Sequence, residues 1–314
     1  MLLLLSFVVF YISRLAPGDP LRSYYGDQVE RMTTEQKIQV KEQLGLNQPI
    51  YRQYQIWLQN AIKGNFGISF QYKQSVSVVV KNHWVNTLIL GLSSYLLTFL
   101  LALLLGVSCA VREDSWYDKI ICNIGTALSC IPSFWIALIL ILIFSVNLSV
   151  LPSFGAYGVG QSGSLISRIN HLILPLIVLI LGHLWYYAYF VRNLFLEEFQ
   201  QDYVLFCRAK GLTSHQIVWK HCLRNMLPSY FSMMVISIPH IIGGTYIVEQ
   251  VFSYPGLGKL CFESAKYHDY NLLMLLCCIT GFFVLCSSML SQLLSIWLNP
   301  QTRKESRMNA KSPI

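Results

Sequence analysis

Five long stretches of this chain carry no charged residue: residues 82–111, 120–167, 169–191, 225–248 and 270–302. A helix needs about 20 apolar residues to cross the hydrocarbon core of a bilayer, so each stretch is long enough for one span. The strands of a membrane β-barrel would instead show alternating segments of about 10 residues. Charged residues make up 12% of the chain, against about 25% in soluble domains. The sequence therefore predicts an all-α, polytopic membrane protein.

We expect six membrane-spanning helices. They run over residues 1–14, 84–111, 120–151, 171–195, 228–251 and 272–298. The first apolar run is short for a span, but it lacks the basic start and cleavage site of a signal peptide, so we interpret it as part of a first helix. Pro132, Pro175 and Pro239 lie inside predicted helices, where kinks are tolerable because neighbouring helices can satisfy the carbonyls that proline leaves free.

The distribution of Lys and Arg predicts the orientation. Positive residues follow the second and fourth helices and fill the C-terminal tail: Arg112, Lys119, Arg208, Lys210, Lys220, Arg224, Arg303, Lys304, Arg307 and Lys311. Short loops rich in Lys and Arg stay in the cytoplasm, whereas long loops cross largely regardless of charge. Both termini are therefore expected in the cytoplasm. The net charge of +8 has the same explanation, so we expect membrane lipid and not nucleic acid as its counterpart.

This orientation divides the chain into four parts. They are a first membrane helix (1–16), an external segment (17–83), a five-helix core (84–298) and a cytoplasmic tail (299–314). Within the core, residues 197–228 form a basic, polar loop between two apolar helices, on the predicted cytoplasmic side.

The loop has the pattern of two short helices. Four side chains mark one face of the first: Phe199, Tyr203, Phe206 and Lys210. Gly211 can end this helix, and Thr213 or Ser214 can cap the next. An apolar stripe follows at i, i+3, i+4 and i+7: Trp219, Cys222, Leu223 and Met226. With Pro228 at the entry to the next span, such a unit can dock its apolar face on a partner or lie on anionic lipid.

Nine cysteines are present, without a C-x-x-C pair. Most lie inside the apolar stretches, so we interpret them as small buried side chains rather than as a disulfide framework or a metal site.

Ionisable or soft side chains within spans are candidates for a substrate path. We select His240, Met233 and Glu249, because imidazole and thioether suit transition-metal ions and Glu249 follows Gly243-Gly244, where helices can approach closely. The competing interpretation of His240, and of His171 and His183, is a neutral imidazole bonded to a helix carbonyl.

Seven strings occur in order along nearly the whole chain: RLAPGDP (14–20), LGLNQPIYRQYQIWL (44–58), FGISF (66–70), IPSFW (131–135), LRNMLP (223–228), VFSYPGLGKL (251–260) and NPQTR (299–303). Together they resemble the B-type permease of the peptide and nickel family of ABC importers. Members of this family usually begin with about ten more residues that include Arg or Lys.

The loop resembles the EAA loop of these permeases. Cys207, Arg208 and Ala209 stand where the family has Glu-Ala-Ala, and only Ala209 is retained. The string CRAKGL, residues 207–212 including Lys210 and Gly211, is similar to the A-R-A-K-G-L usual in one subfamily. Leu227-Pro228 matches the closing Leu-Pro.

The resemblance implies a type I ABC importer permease fold in the bacterial inner membrane. It implies four other subunits or partners: a second homologous permease, two ATP-binding subunits and an extracytoplasmic solute-binding protein. ATP and Mg²⁺ would bind those partner subunits, and the loop would sit in a cleft of an ATPase. The outer segment 17–83 and the loop Tyr254–Lys259 would lie near the surface that docks the binding protein.

Two other classes of function compete. Gly160-Gln161-Ser162-Gly163 resembles the surroundings of an intramembrane serine hydrolase nucleophile, although the stretch 155–164 has the composition of a loop. A passive channel would transport without ATPases. Gly258-Lys259 lacks the glycine spacing and the following Ser or Thr of a phosphate-binding loop, so we predict no catalytic residue in this chain. The substrate stays open between peptides and nickel, as ion or chelate; FGISF and the Gly-Gly segment slightly favour nickel.

Overall fold

The described part of the chain folds almost entirely into helices. The computed structural model describes residues 1–15, 21, 25–43, 47–161 and 163–298. Its helices are α1 (Leu2–Leu15), α2 (Thr34–Gln43), α3 (Ile50–Ile62), α4 (Val76–Val111), α5 (Trp116–Ser129), α6 (Ser133–Leu140), α7 (Leu165–Phe199), α8 (Asp202–Ala209), α9 (Ser214–Val251), α10 (Leu257–Lys266) and α11 (Tyr270–Leu298). Gly26–Arg31 forms a 3₁₀ turn, and one isolated bridge joins Ile68 to Ser75. The all-α prediction is confirmed for these residues.

Four helices in the described ranges are long and apolar enough to cross a membrane: α4, α7, α9 and α11. They contain four of the predicted spans, and each begins earlier than predicted because helical hydrogen bonding continues into the polar flank. Helix α7, for example, begins at Leu165, where the Ser164 hydroxyl accepts a hydrogen bond from the Ser167 amide. Helix α1 has 14 residues, fewer than a full span needs, so the count of six spans stays a prediction.

The predicted third helix, residues 120–151, is not one continuous helix. Helices α5 and α6 are separated by Cys130–Pro132 and meet at 98°. Pro132 lacks an amide hydrogen and disfavours helical geometry at the preceding Ile131, so the chain breaks there and restarts at Ser133. Helix α6 continues as the π-helical segment Ile141–Asn147. Pro175 and Pro239, in contrast, lie within continuous helices.

One compact unit runs from Leu90 to Phe252 and includes the chain from Val284. Its core lies where α4, α7 and α9 meet. The ring of Phe99 lies 4.6 Å from that of Tyr187 and 6.0 Å from that of Tyr230, centroid to centroid. The Tyr230 hydroxyl donates to the Phe99 carbonyl at 2.7 Å. This bond satisfies the one polar atom that the tyrosine brings into the apolar core.

The same unit holds a buried ion pair between α5 and α7. Arg192 donates to both carboxylate oxygens of Asp118, from Nε at 2.7 Å and from the terminal nitrogen at 2.6 Å. The carboxylate also accepts from the Asp114 amide and the Cys122 thiol. This two-pronged geometry fixes the first turn of α5 against α7.

A second compact unit comprises Met1–Ile89 and Ser253–Phe283. In it, Tyr54 of α3 packs on α1, with its hydroxyl 2.8 Å from the Ser6 hydroxyl and its ring 5.2 Å from that of Phe7. The fully buried Asp269, just before α11, accepts from the Ser69 hydroxyl and the Gln71 amide. These bonds hold residues 66–75 against the start of α11.

Candidate functional site

Residues 202–228, here called the hairpin, consist of α8, a tight turn and the first turns of α9. Helix α8 ends in a Schellman arrangement: the Leu212 amide donates to the Cys207 carbonyl at 3.2 Å, and the Gly211 amide to Arg208 at 2.9 Å. This closure requires a left-handed residue, and Gly211 has φ +78°. The predicted role of Gly211 as the helix stop is confirmed.

Thr213 caps the second helix, as predicted. Its hydroxyl accepts from the Gln216 amide at 3.3 Å, and the Gln216 side chain accepts from the Thr213 amide at 3.0 Å. Two amides that a helix start leaves without partners are thereby satisfied. Turn and cap together fix the reversal of the chain between α8 and α9.

One face of the hairpin is buried in the core of its unit. The side chains on it pack with those of α4 and α7: Val204, Cys207, Ile217, Val218, Cys222 and Met226. Tyr203 and Phe199 pack beside them. Because this face packs in the core of the unit, the hairpin is a fixed part of that unit and not a free loop.

The predicted stripe of the second helix does not form one docking face, because Trp219 is 44% exposed whereas Cys222 and Met226 are buried in the core of this chain. Residues Ile217–Cys222 form a π-helical turn, in which each hydrogen bond joins residues five positions apart instead of the four of an α-helix. The wider turn rotates the following face, so Ile217 and Val218 are buried and Trp219 is not.

The predicted face of the first helix is also interrupted, because α7 ends at Phe199 and α8 begins at Asp202. The Tyr203 hydroxyl donates to the Glu198 carboxylate across this break. Burial, and then the bond to Glu198, raise the pKa of Tyr203 well above its usual value. The phenol therefore keeps its proton and ties α8 to the end of α7.

The opposite face of the hairpin is exposed and mixes apolar with basic side chains. Leu205 is 70% and Phe206 60% exposed, and the Lys210 ammonium lies 4.4 Å from the centre of the Phe206 ring. The remaining basic residues of this surface are Arg208, Lys220 and Arg224. Large exposed apolar side chains ringed by charge are typical of a protein interface.

The structure places the residues matched to the EAA pattern on both faces. Cys207 is buried, whereas Arg208, Ala209, Lys210 and Gly211 are exposed. Leu227 packs half-buried against the core. Pro228 lies within α9, which is continuous to Val251, so the expectation that Pro228 marks the entry to a separate helix is wrong. A proline inside such a helix is tolerated where neighbouring groups satisfy the carbonyl that it leaves free.

The predicted substrate-path residues lie in different surroundings. His240 is exposed, Met233 packs in the core, and Glu249 is fully buried. A Cβ on Gly244 would lie 2.8 Å from Nε2 of His183. The predicted close approach of helices is therefore found at Gly244.

An open cavity of about 730 Å³ lies beside the start of α7. Gln161, Ser167 and His171 contribute polar atoms to its wall. Nδ1 of His171 lies 2.7 Å from the Ser167 carbonyl, the helix-carbonyl bond expected of a structural histidine. Ser162 lies outside the described residues.

The loop Tyr254–Lys259 and part of the external segment belong to the same compact unit. The Tyr72 hydroxyl donates to Glu263 at 3.2 Å, and Lys259 lies 3.6 Å from the same carboxylate. Burial, and then the charge of Glu263, raise the pKa of Tyr72 to about 12, so this phenol stays a donor at neutral pH. Tyr254 itself is fully buried, which leaves Lys259 as the more accessible end of the loop.

Sequence reasoning missed the Asp118–Arg192 pair. The two residues are 74 positions apart, and no local pattern links them. The one available signal was that Asp118 lies in the charged loop before the stretch 120–167 and Arg192 ends the stretch 169–191, both on the same predicted side of the membrane.

Known proteins share this arrangement of apolar helices. Two solved inward-facing structures of the MetNI methionine ABC transporter superpose on 69% of the chain with TM-scores of 0.54 and 0.53, at 18% and 19% identity, covering 97% and 96% of those chains. The likeness confirms the type I ABC importer permease fold.

Sequence comparison then gives the family. The model described as "Binding-protein-dependent transport system inner membrane component" matches residues 102–304, and the model of its N-terminal part matches residues 1–91. The chain belongs to this family of permease subunits of ABC importers. It is a multi-pass membrane transport subunit, and the predicted resemblance is confirmed.

Three relatives illustrate the range of the family. The chain is 35% identical to the oligopeptide transport system permease protein AppB of Bacillus subtilis, over 96% of this chain and 94% of that protein. It is 30% identical to the metal-staphylopine import system permease protein CntB of Staphylococcus aureus (98% and 96% covered). It is 32% identical to the glutathione transport system permease protein GsiC of Escherichia coli K12 (86% and 84% covered). The family is not one of hydrolases, so the alternative based on Ser162 has no support.

Proposed function

We propose that the exposed face of the hairpin is the surface through which ATP-binding subunits drive this permease. One observation carries the proposal: Leu205 and Phe206 are exposed on a short helix whose other face is anchored in the core. A rigid hairpin whose exposed apolar side chains bind a partner can be displaced by that partner, and it can transmit the displacement to the helices that it contacts.

The path from the hairpin to the membrane is short. Helix α9 carries the second half of the hairpin and continues to Val251, while the buried face contacts α4 and α7. Displacement of α8 by a partner would therefore move three helices together. In this proposal, a second homologous permease forms the other half of the pathway, and a solute-binding protein delivers substrate outside.

The orientation belongs to the same proposal. The hairpin carries exposed Arg208, Lys210, Lys220 and Arg224, and short loops rich in Lys and Arg face the cytoplasm. Both termini would then be cytoplasmic, and α10 extracytoplasmic.

Truncation of the exposed apolar pair tests this function. Leu205→Ala combined with Phe206→Ala is expected to lower binding of purified ATP-binding subunits to inverted membrane vesicles by at least tenfold, because central anchors carry about 2 kcal/mol or more each. Uptake should fall in parallel. Sedimentation of the subunits with the vesicles measures the binding.

The matched control is Leu104→Ala, a leucine of α4 that is also exposed; it should bind the subunits normally. Vesicles with the outer face exposed should not bind them. Normal binding by the double variant, or binding on the outer face, would contradict the proposal.

For the substrate we propose a peptide, with a metal ion in a peptide-like chelate as the second candidate. The names of AppB and GsiC support the first, and that of CntB supports the second. In a deletion strain that carries the full transporter, labelled peptide uptake should depend on this chain. Uptake of nickel without a chelator should not. The reverse result would make nickel ion the substrate.

Of the three path candidates, His240 alone is exposed within this chain. It is the residue we propose to contact substrate, and His240→Ala should raise the KM of uptake without changing membrane levels of the protein. Unchanged kinetics would remove His240 from the path.

A further inference from the structure

Helices α7 and α9 of the unit Leu90–Phe252 meet at His183 and Gly244. A Cβ on Gly244 would lie 2.8 Å from Nε2 of His183, so the two positions face each other across the helix contact. Helix α7 leads into the hairpin and α9 leaves it, so the two helices run in opposite directions. This contact fixes which residues of α7 and α9 lie at the same level.

Tyr186 and His240 lie at one level and on one side of this helix pair. Tyr186 is three residues after His183 on α7. His240 is four residues before Gly244 on α9, so both lie about one turn nearer to the hairpin. At about 100° per residue, these two steps along antiparallel helices also turn to the same side of the pair. That side is open, because Tyr186 is 69% exposed and His240 is exposed as well.

Two glycines lie on the same open side, at the level of the helix contact. Gly182 and Gly243 each precede a contact residue by one position, and both are exposed. A Cβ on Gly243 would meet nothing within 4 Å, and one on Gly182 would meet the Ser133 hydroxyl at 3.1 Å. The open side is thus a shallow groove with backbone as its floor. We call Gly182, Tyr186, His240 and Gly243 the α7–α9 groove.

The groove lies at membrane depth, yet it presents polar groups. Tyr186 and His240 lie several residues inside the charge-free stretches 169–191 and 225–248. A hydroxyl or imidazole that faces hydrocarbon lacks hydrogen-bond partners at a cost in free energy, so polar residues at this depth usually face the bundle interior or a water-filled cavity. Because neither stretch contains Asp, Glu, Lys or Arg, the groove suits uncharged groups that donate and accept hydrogen bonds, such as the amides of a peptide backbone.

We propose that the α7–α9 groove lines the substrate path and that the Tyr186 hydroxyl, beside His240, forms a hydrogen bond with the backbone of a transported peptide. The inference rests on the proposed function, in which this chain forms half of the pathway and His240 contacts the substrate. It adds Tyr186 as a residue that determines the affinity for peptide. The glycine floor lets an extended peptide backbone approach the two helices closely.

Modification of introduced cysteines by a charged thiol reagent tests the placement. The complete transporter with Tyr186→Cys or Gly243→Cys is assembled in lipid nanodiscs, where both membrane faces are accessible, and is treated with a quaternary-ammonium methanethiosulfonate. The thiolate is the reactive form of cysteine, and it forms in water rather than in hydrocarbon. Mass spectrometry distinguishes the new adduct from those of the nine native cysteines. We expect both groove cysteines to be modified, and we expect a transported peptide to prevent the modification.

The matched control is Leu96→Cys, on α4 within the charge-free stretch 82–111 and 55% exposed. It should stay unmodified, because an apolar side chain exposed at this depth faces lipid. Groove cysteines that react no faster than Leu96→Cys, or that react equally with and without peptide, would overturn the proposal.

Tyr186→Phe in the Gly243→Cys background measures the proposed hydrogen bond. The peptide concentration that halves the modification rate should rise roughly two- to tenfold, the effect of one lost uncharged hydrogen bond. Tyr189→Phe should leave this concentration unchanged, because Tyr189, 56% exposed, lies near the charged end of the same stretch. An unchanged concentration in Tyr186→Phe, or equal rises in the two variants, would contradict the role of Tyr186.

Labelled peptide uptake by the wild-type transporter is measured in vesicles in parallel. Absence of uptake would contradict the proposed function and this inference with it. Uptake of peptide together with an unreactive groove would contradict this inference alone.

Discussion

Gly211→Val is expected to abolish coupled uptake while the permease still assembles in the membrane. Gly211 has φ +78° at the turn of the hairpin, and a residue with a side chain is strained there by about 1–2 kcal/mol. A β-branched residue is among the least tolerant of this conformation. Because 1.4 kcal/mol corresponds to a factor of ten, the native turn should lose at least about tenfold in population relative to relaxed alternatives.

The strain at Gly211 comes from the backbone and not from a clash. A Cβ at this position would meet nothing within 4 Å, so valine would not disturb the core. The turn would open instead, and α8 would lose its position relative to α9. We expect ATP hydrolysis to persist while uptake falls about tenfold or more; parallel assays of phosphate release and substrate uptake measure the two rates.

Two controls separate coupling from general damage. Gly211→Asn should retain most uptake, because asparagine adopts the left-handed conformation at modest cost. Gly160 has φ +75° and also has nothing within 4 Å of an added Cβ, so Gly160→Val introduces the same strain away from the hairpin. If Gly160→Val uncouples hydrolysis from uptake as Gly211→Val does, the hairpin has no special role.

The sequence predicted those features that depend on short-range chemistry. Charge-free stretches located α4, α7, α9 and α11, because a bilayer excludes charge over a known length. Gly211 and Thr213 were identified because a left-handed turn and a helix cap each select few residue types. These are local constraints, and a single sequence contains them.

Features that depend on contacts between distant segments were missed or wrong. The composition of residues 217–222 gives no sign of a π-helical turn, so Trp219 was assigned to the same face as Cys222 and Met226, although these two are buried and Trp219 is exposed. Pro132 indicated a bend but not its size of 98°, which depends on what α5 and α6 pack against.

Arg192→Met is expected to produce the largest loss of stability among single substitutions in the helical unit Leu90–Phe252. The Asp118 side chain is 3% and that of Arg192 15% exposed. Removing one partner leaves the other charge buried without compensation, which costs about 3–5 kcal/mol. In a chain of this size we expect the thermal midpoint of the detergent-solubilised transporter to fall by roughly 10 °C.

The pair itself contributes much less than its rupture costs. Desolvation of two buried charges offsets most of their attraction, so an apolar pair of similar volume is often as stable. The double variant Asp118→Leu with Arg192→Met should therefore recover most of the lost midpoint. Arg192→Lys should recover little, because a single ammonium cannot reproduce the two parallel bonds from Nε and the terminal nitrogen.

Lys259→Met gives the comparison at the surface. Lys259 and Glu263 lie one helical turn apart at 3.6 Å, with side chains 26% and 21% exposed, and such pairs contribute at most about 1 kcal/mol. The thermal midpoint of the Lys259→Met variant should therefore fall much less than that of Arg192→Met. Equal shifts for the two single variants, or a double variant no more stable than Arg192→Met, would show that the ion pair does not hold α5 against α7. A double variant no more stable than Arg192→Met would further mean that Asp118 finds another partner when Arg192 is replaced. Removal of the Asp118 carboxylate would then relieve no cost of an unpaired buried charge.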